Sequence, residues 1–396
     1  ALYGTNAVSG IINIITRQPS NLNKDRIGEI QAGVGQFATK SLAISFGRYN
    51  QQRRFGYHLS AMLRSTNKAD LKEADGDHNW SDQMENFERD RAFDFTMQFR
   101  NLNFGVTYQR KRSSRTTNYK TIDTVYRDRG TLWDIAFFNA FVKYDLTFSS
   151  HCQLRTQLYH RNATVHDNTI AYITDQHQVG YFRPNHLSGL ETILSLNPTR
   201  RVHLTWGMVM EMETLSKGFS KSYSASPTQI PDPPVTPPSL NNTLLSSYLQ
   251  LQYALSSSLQ LTSGFRYDNS NVYDEILTPR LGMVFNNKAM TTKLLYTEAF
   301  RAPKPWDYSD GLGNPDLDPE KMKSLELFVA LHLSKNVKAE LSLYRNRLEG
   351  ILIKSQSGLD YRWVNGQHLE TDGFELSFHY ARGKFKGYGN YTYNSS

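Results

Sequence analysis

The sequence predicts an all-β protein, an antiparallel up-and-down β-barrel that crosses a membrane. Apolar and polar residues alternate with a period of two over many short segments. The mean hydropathy is −0.56, and no run of about 18 apolar residues is present, so a transmembrane helix is excluded. The connections between the segments are short and long in turn, which is typical of a barrel with tight turns at one end and large loops at the other.

The alternation is clear in many of the segments. Leu249, Leu251 and Tyr253 share one face, whereas Gln250 and Gln252 share the other. The same pattern occurs in residues 92–99, 102–109, 259–268, 325–333 and 374–380. A tilted strand needs about 9–11 residues to cross a bilayer, and the predicted strands are roughly 9–13 residues long. Alternation alone also fits a soluble β-sandwich, so the connections must decide between the two folds.

The connections follow a regular rhythm that favours the barrel. Short turns are predicted at 50–53, 100–101, 149–151, 197–200, 256–258, 286–289, 334–336 and 382–384. Long polar connections are predicted between them at 66–88, 111–130, 164–178, 217–242, 269–276, 300–321 and 350–366. The first connection, 36–39, is the one short loop on the long side. Greek-key sandwiches do not keep such an order, so we predict about 17 strands of an up-and-down barrel.

Charge and cysteine content exclude other classes. The formal charge is +8, but the basic residues are scattered and not arranged in one stripe, so nucleic acid is not a predicted partner. The single cysteine, Cys152, allows neither an internal disulfide nor a structural zinc site. Arg155 and Arg266 share their faces with glutamine or threonine, and we expect both arginines to face the barrel interior.

Two stretches resemble a known family. The first is ALYGTNAVSGIINIIT at residues 1–16, in which Tyr3, Gly4, Gly10 and Asn13 fall on the pattern that closes the plug domain of TonB-dependent outer-membrane receptors. The second begins with Phe300-Arg301-Ala302-Pro303, which is similar to the F-R-A-P element of the same family. It continues through the N-P-x-L-x-P-E element, which here comprises Asn314, Pro315, Pro319 and Glu320.

This resemblance implies an architecture and a function. The resemblance implies a plugged barrel of 22 strands. Residues 1–20 would then be the C-terminal end of the plug, and residues 21–396 would form an incomplete barrel. The implied function is active import of a scarce nutrient, most often a ferric siderophore, across the outer membrane of a Gram-negative bacterium. The implied partners are the TonB energy-transducing complex, which would act through a plug segment missing here, the small ligand and outer-membrane lipid.

Candidate ligand contacts lie in the predicted outer loops. Arg301, Trp306 and Tyr308 offer cationic and flat surfaces that suit an anionic or aromatic ligand. Arg115, Tyr119 and Trp80 are candidates in two other long loops. No resident cofactor and no metal site is predicted.

Alternatives within and outside the family stay open. A cobalamin or haem receptor would have the same architecture, although no histidine lies between Phe300 and Asn314, which counts against haem. A passive porin or adhesin barrel is the alternative from another class. The motifs G-x-S-x-G, H-E-x-x-H and the P-loop are all absent, so no enzyme is predicted.

Overall fold

The computed structural model has twenty strands in the part of the chain that it describes. It describes residues 19, 26–67, 87–114, 132–173, 177–216, 220–224, 239–305, 307–309, 311–358 and 360–396. The strands are β1 (Arg26–Gly35), β2 (Thr39–Asn50), β3 (Phe55–Thr66), β4 (Glu88–Phe99), β5 (Leu102–Ser113), β6 (Trp133–Ser149), β7 (Cys152–Ile173), β8 (His177–Thr199), β9 (Val202–Ser216), β10 (Ser220–Ser224), β11 (Ser239–Ala254), β12 (Leu259–Ser270), β13 (Asp274–Asn286), β14 (Met290–Arg301), β15 (Glu320–Ser334), β16 (Val337–Glu349), β17 (Leu352–Ser357), β18 (Asp360–Asn365), β19 (Leu369–Arg382) and β20 (Phe385–Ser395).

The strands form one antiparallel meander. Each pairs with its successor from β1 to β9; β9 then pairs with β11, the order continues to β16, and β16, β19 and β20 follow. The short strand β10 pairs with β8, which makes 18 strands in the sheet. The remaining strands, β17 and β18, form a separate hairpin in the last long connection. Without β10 the meander has the predicted 17 strands.

The exposure of apolar and polar side chains on the two faces of the sheet is the reverse of that in a soluble protein. Leu251, Phe265 and Leu281 share one face and are 41%, 44% and 54% exposed. On the opposite face, Gln250 and Arg266 are only 8% and 4% exposed. Across the described residues, buried polar and charged side chains outnumber buried apolar ones. Such a distribution is expected of a sheet whose apolar face meets lipid and whose polar face lines an interior.

Aromatic rings on the polar face lie over glycines of the neighbouring strand. Tyr248 of β11 faces Gly207 of β9, and Tyr159 of β7 faces Gly189 of β8. A Cβ added to Gly207 would lie 2.1 Å from Cζ of Tyr248, so only glycine leaves room for the ring. The Tyr248 hydroxyl passes over Gly207 and donates to Glu191 of β8 at 3.3 Å. These contacts connect strands that are not direct neighbours.

Most of the connections agree with the prediction, and four differ. One of them, 217–242, contains β10 and the first residues of β11. All eight predicted short turns are found. The first lies between residues 50 and 55, and the last lies between residues 382 and 385. The long loop predicted at 164–178 is wrong, because β7 continues to Ile173 and β8 begins at His177. The loop predicted at 269–276 is a tight turn of three residues, 271–273. The predicted loop 350–366 contains the hairpin β17–β18, whose turn places Gly358 at a φ of +66°.

Candidate functional site

The polar face carries a closed network at the outer part of β11 and β12. The Arg266 Nε lies 2.9 Å from each carboxylate oxygen of Asp268, and its terminal nitrogen donates to the Ser246 hydroxyl at 2.8 Å. Ser246 in turn donates to Asp268 at 2.5 Å. Arg266 therefore lies on the face that the alternation predicts. Its charge is neutralised within the wall, since removing a buried charge from water is costly unless it is paired.

A cavity of about 600 Å³ lies along the polar face of β1–β5. Its polar groups include the hydroxyl of Ser45, which lies 3.0 Å from Nε2 of His58. Thr107 donates to the carboxylate of Asp94 at 2.8 Å. No lysine or arginine lines this cavity in the described part of the chain, and Glu29 adds a second carboxylate. A neutral or cationic polar group would therefore fit against this part of the wall better than an anionic group.

The loop 302–319, which joins β14 to β15, is closed at its base by an ion pair. Arg301 ends β14, Glu320 begins β15, and the two side chains pair with each other. Glu320 is only 2% exposed, and its second oxygen accepts the backbone N–H of Leu352 at 2.9 Å. Phe300 is 1% exposed and packs against Tyr273 with ring centroids 5.6 Å apart. The F-R-A-P and P-E elements therefore fix the base of this loop.

The hairpin β17–β18 is docked on loop 302–319 by backbone and amide contacts. The side chain of Asn365 accepts from the N–H of Asp318 and donates to its carbonyl, both at 2.8 Å. Asn314 donates to the carbonyl of Trp363 at 2.9 Å. The N–H of Leu312 donates to the carbonyl of Tyr361 at 2.9 Å. The loop and the hairpin thus form one unit at the long-connection end of the sheet, which we call the loop–hairpin unit.

The surface of the loop–hairpin unit combines a cation with aromatic rings. Lys354 of β17 lies over the rings of Tyr361 and Trp363 of β18, with its Nζ 4.2 Å and 5.2 Å from their centroids. Lys354 itself is exposed. This arrangement offers both flat apolar area and positive charge, a combination that suits an anionic aromatic ligand.

Tyr308 is directed into loop 302–319. Its hydroxyl is buried and has no hydrogen-bond partner among the described residues. Burial, together with the charges of Asp307 and Asp318, raises the pKa of Tyr308 to about 12. Asp307 is 5% exposed and accepts from the N–H of Lys304 at 2.8 Å, which holds the first turn of the loop. Tyr308 therefore stays neutral at physiological pH and is half-buried in the loop, with its hydroxyl inside.

The structure brings some of the predicted residues together. Phe300, Arg301, Pro303, Tyr308, Asn314, Pro315, Pro319 and Glu320 all lie in loop 302–319 or at its base, and Pro303 and Pro319 are buried. Arg301 and Asn314 are engaged in contacts within the protein. The other predicted positions lie outside the described residues: Tyr3, Gly4, Gly10, Asn13, Trp80, Arg115, Tyr119 and Trp306.

The sequence reasoning missed the hairpin and therefore Asn365 and Lys354. A signal for it exists, because Tyr361 and Trp363 alternate with polar residues soon after the turn residue Gly358, which is typical of the second strand of a β-hairpin. Among the described residues, no group of three or more histidine, cysteine or acidic side chains could hold a metal ion. In the same residues, no helix is long and apolar enough to span a membrane.

Comparison with known proteins identifies the family. The family model "TonB dependent receptor-like, beta-barrel" matches residues 32–396, so the chain belongs to this family. The sheet is thus part of an outer-membrane β-barrel of a Gram-negative bacterium, and the family consists of receptors and not of enzymes. Membership does not support the porin or adhesin alternative.

Individual relatives are more distant. The ferric enterobactin receptor PfeA of Pseudomonas aeruginosa is similar over 99% of this chain and 64% of its own, with 15% identity and a TM-score of 0.75. The siderophore receptor PirA of the same organism is similar over 99% and 70%, with 15% identity and a TM-score of 0.70. An iron-regulated outer membrane virulence protein of Vibrio cholerae is 29% identical over 118 residues, which are 27% of this chain. The matched part of the chain spans 18% of that relative's length.

Proposed function

We propose that this chain forms most of the barrel of a receptor that imports a ferric siderophore across the outer membrane. The observation that carries the proposal is that solved structures sharing the fold over 99% of the chain are named as siderophore receptors. The iron-regulated relative from Vibrio cholerae agrees with iron as the nutrient. Energy would come from the TonB complex, because the outer membrane has no nucleotide source of its own.

The loop–hairpin unit supports a role in ligand capture. Ferric catecholate siderophores carry negative charge and aromatic rings. Lys354 with Tyr361 and Trp363 offers a matching surface on the outer end. The hydrogen bonds of Asn365 and Asn314 hold that surface in place, so little ordering entropy is lost when a ligand binds.

The test uses the receptor in full length, purified in detergent. Ferric catecholate and ferric hydroxamate siderophores, cobalamin and haem are titrated while intrinsic tryptophan fluorescence is recorded. Saturable binding of a ferric siderophore, together with iron uptake by cells that requires TonB, is the expected result. Binding of cobalamin or haem alone, or uptake that persists without TonB, would refute the proposal.

A substitution links the binding to the loop–hairpin unit. We expect Lys354→Gln to weaken siderophore binding about tenfold, since one charge-assisted contact is lost. Lys335→Gln is the matched control, because Lys335 lies in the short turn between β15 and β16 at the opposite end of the sheet. Equal affinities for both variants would place ligand binding elsewhere.

A further inference from the structure

The short turns of the sheet carry only one sign of charge. The structure describes all eight of these turns, and they contain eight lysine or arginine residues and no aspartate or glutamate. The cations are all exposed, and they are Arg53, Arg54, Arg100, Arg200, Arg201, Lys288, Lys335 and Lys384. The sequences of the long connections, by contrast, contain both signs of charge. The short-turn end of the sheet is therefore a positive rim.

The rim is densest where two neighbouring turns meet. Arg53 and Arg54 lie in the turn between β2 and β3, and Arg100 lies in the turn between β4 and β5. The N–H of Arg100 donates to the carbonyl of Arg54 at 2.7 Å, so the two turns touch. Arg48 lies near the end of β2 and shares its apolar face with Phe46. We call Arg48, Arg53, Arg54 and Arg100 the arginine cluster.

Two members of the cluster stand at backbone positions that favour glycine. Arg54 has a φ of +48° and Arg100 has a φ of +53°. A residue with a Cβ is strained in this left-handed region, which glycine enters without cost. Strained residues of this kind collect at functional sites. Arginine at both of these adjoining positions therefore indicates a use for the side chains and not a need of the turns.

The side chain of Arg100 is turned toward the apolar face. Strict alternation after Phe99 would place residue 100 on the polar face. Instead, the guanidinium of Arg100 lies over the ring of Phe99, 5.4 Å from its centroid. Phe99 is on the apolar face and is 46% exposed. The positive charge of Arg100 is thus held at the side of the sheet that meets lipid.

The described residues supply no anion to the arginine cluster. In this part of the chain, no carboxylate lies within ion-pairing distance of any of its four members. Asp145 is close to the cluster, because its N–H donates to the carbonyl of Asn101, but its carboxylate is paired with Arg155 at 2.6 Å. The described part of the protein therefore leaves the charge of the cluster uncompensated.

An aromatic belt borders the cluster on the apolar face. Phe46, Tyr57, Phe55 and Phe99 follow one another in contact, with ring centroids 6.0, 6.4 and 6.5 Å apart. Aromatic side chains of outer-membrane barrels lie at the membrane–water interface, and the short turns of such barrels face the periplasm. The arginine cluster therefore lies at the level of the lipid headgroups of the periplasmic leaflet.

We propose that the arginine cluster binds the phosphate of an anionic phospholipid in the periplasmic leaflet, with the acyl chains lying along Phe46, Phe55 and Phe99. A guanidinium binds phosphate through two parallel hydrogen bonds, and each cation near an anionic headgroup adds to the attraction. A zwitterionic phospholipid gains less, because its own ammonium group lies beside the phosphate. The site is outside the barrel and opposite the loop–hairpin unit, so it is separate from siderophore capture.

The test measures binding of dioleoylphosphatidylglycerol to the full-length receptor in detergent by native mass spectrometry. The variant is Arg54→Gly/Arg100→Gly, which removes two guanidinium groups and relieves two strained φ angles. Its thermal midpoint should therefore equal or exceed that of wild type. The control is Arg200→Gln/Arg201→Gln, which removes the same charge from another short turn.

We expect the glycine variant to bind this lipid at least about tenfold more weakly, and the control to bind it as wild type does. Wild type should also bind zwitterionic dioleoylphosphatidylcholine at least about tenfold more weakly. Equal loss in the two variants would reduce the effect to the general charge of the rim and overturn the proposed site. Unchanged binding by the glycine variant, or equal binding of the two lipids by wild type, would overturn it as well.

Discussion

Glu320 should hold the loop–hairpin unit together, and its removal should loosen the hairpin β17–β18. In Glu320→Ala, the N–H of Leu352 loses a charged acceptor at 2.9 Å, which costs about 1.5–3 kcal/mol. The ion pair with Arg301 adds less than about 1 kcal/mol, because the Arg301 side chain is 47% exposed and its charge is screened. We therefore expect a loss of about 2 kcal/mol in the local opening free energy of the hairpin.

Hydrogen exchange of the full-length receptor in detergent measures this loss. A change of about 2 kcal/mol corresponds to about thirtyfold faster exchange in the hairpin amides. Glu320→Gln keeps an acceptor for Leu352 but not its charge, so about fivefold faster exchange is expected. Glu275→Ala is the control, since Glu275 is exposed and its nearest partner, Asn269, is 3.5 Å away. Unchanged exchange in both Glu320 variants would refute the reasoning.

Three further substitutions test the fold and the loop. Gly207→Val should cost about 1–3 kcal/mol by displacing the Tyr248 ring, and a lower thermal midpoint that Tyr248→Leu partly restores would confirm it. Asp268→Asn leaves Arg266 buried without its partner, so the free energy of unfolding should fall by about 3–5 kcal/mol in denaturant titrations, and an unchanged midpoint would contradict this. The pKa of Tyr308 is raised to about 12, above its ordinary value, so the unfolded loop ionises first. Loop stability should then fall as pH rises from about 10 to about 12, and Tyr308→Phe should abolish this dependence in exchange measurements.

Much of the fold could be predicted from the sequence, because the period-two pattern has a strong physical cause. Leu251 and Gln250 must face different environments, and that requirement fixes the strand and its register. The outer parts of β7 and β8 could not be predicted in this way, since above the membrane both faces are polar and the alternation disappears. Residues 164–178 therefore read as a loop although most of them are strand.

The candidate site was harder to predict because its contacts are distant in the chain. The motif around Asn314 and Glu320 was recognisable, but their partners Trp363 and Leu352 lie 49 and 32 residues away. Nothing local indicates such docking. For the same reason the sequence predicted only that Arg266 faces the interior, whereas in the structure Ser246 of the neighbouring strand closes a network around it.

The central claim is that the apolar face of the sheet meets lipid and the polar face lines the barrel interior. Single cysteines introduced at positions 249 to 252 into a Cys152→Ser background of the full-length receptor, spin-labelled in bilayers, test it directly. Labels at Leu249→Cys and Leu251→Cys should be relaxed strongly by lipid-soluble oxygen and only weakly by a water-soluble nickel chelate. Labels at Gln250→Cys and Gln252→Cys should not be relaxed strongly by oxygen. Labels at 249 and 251 that oxygen does not reach would contradict the account.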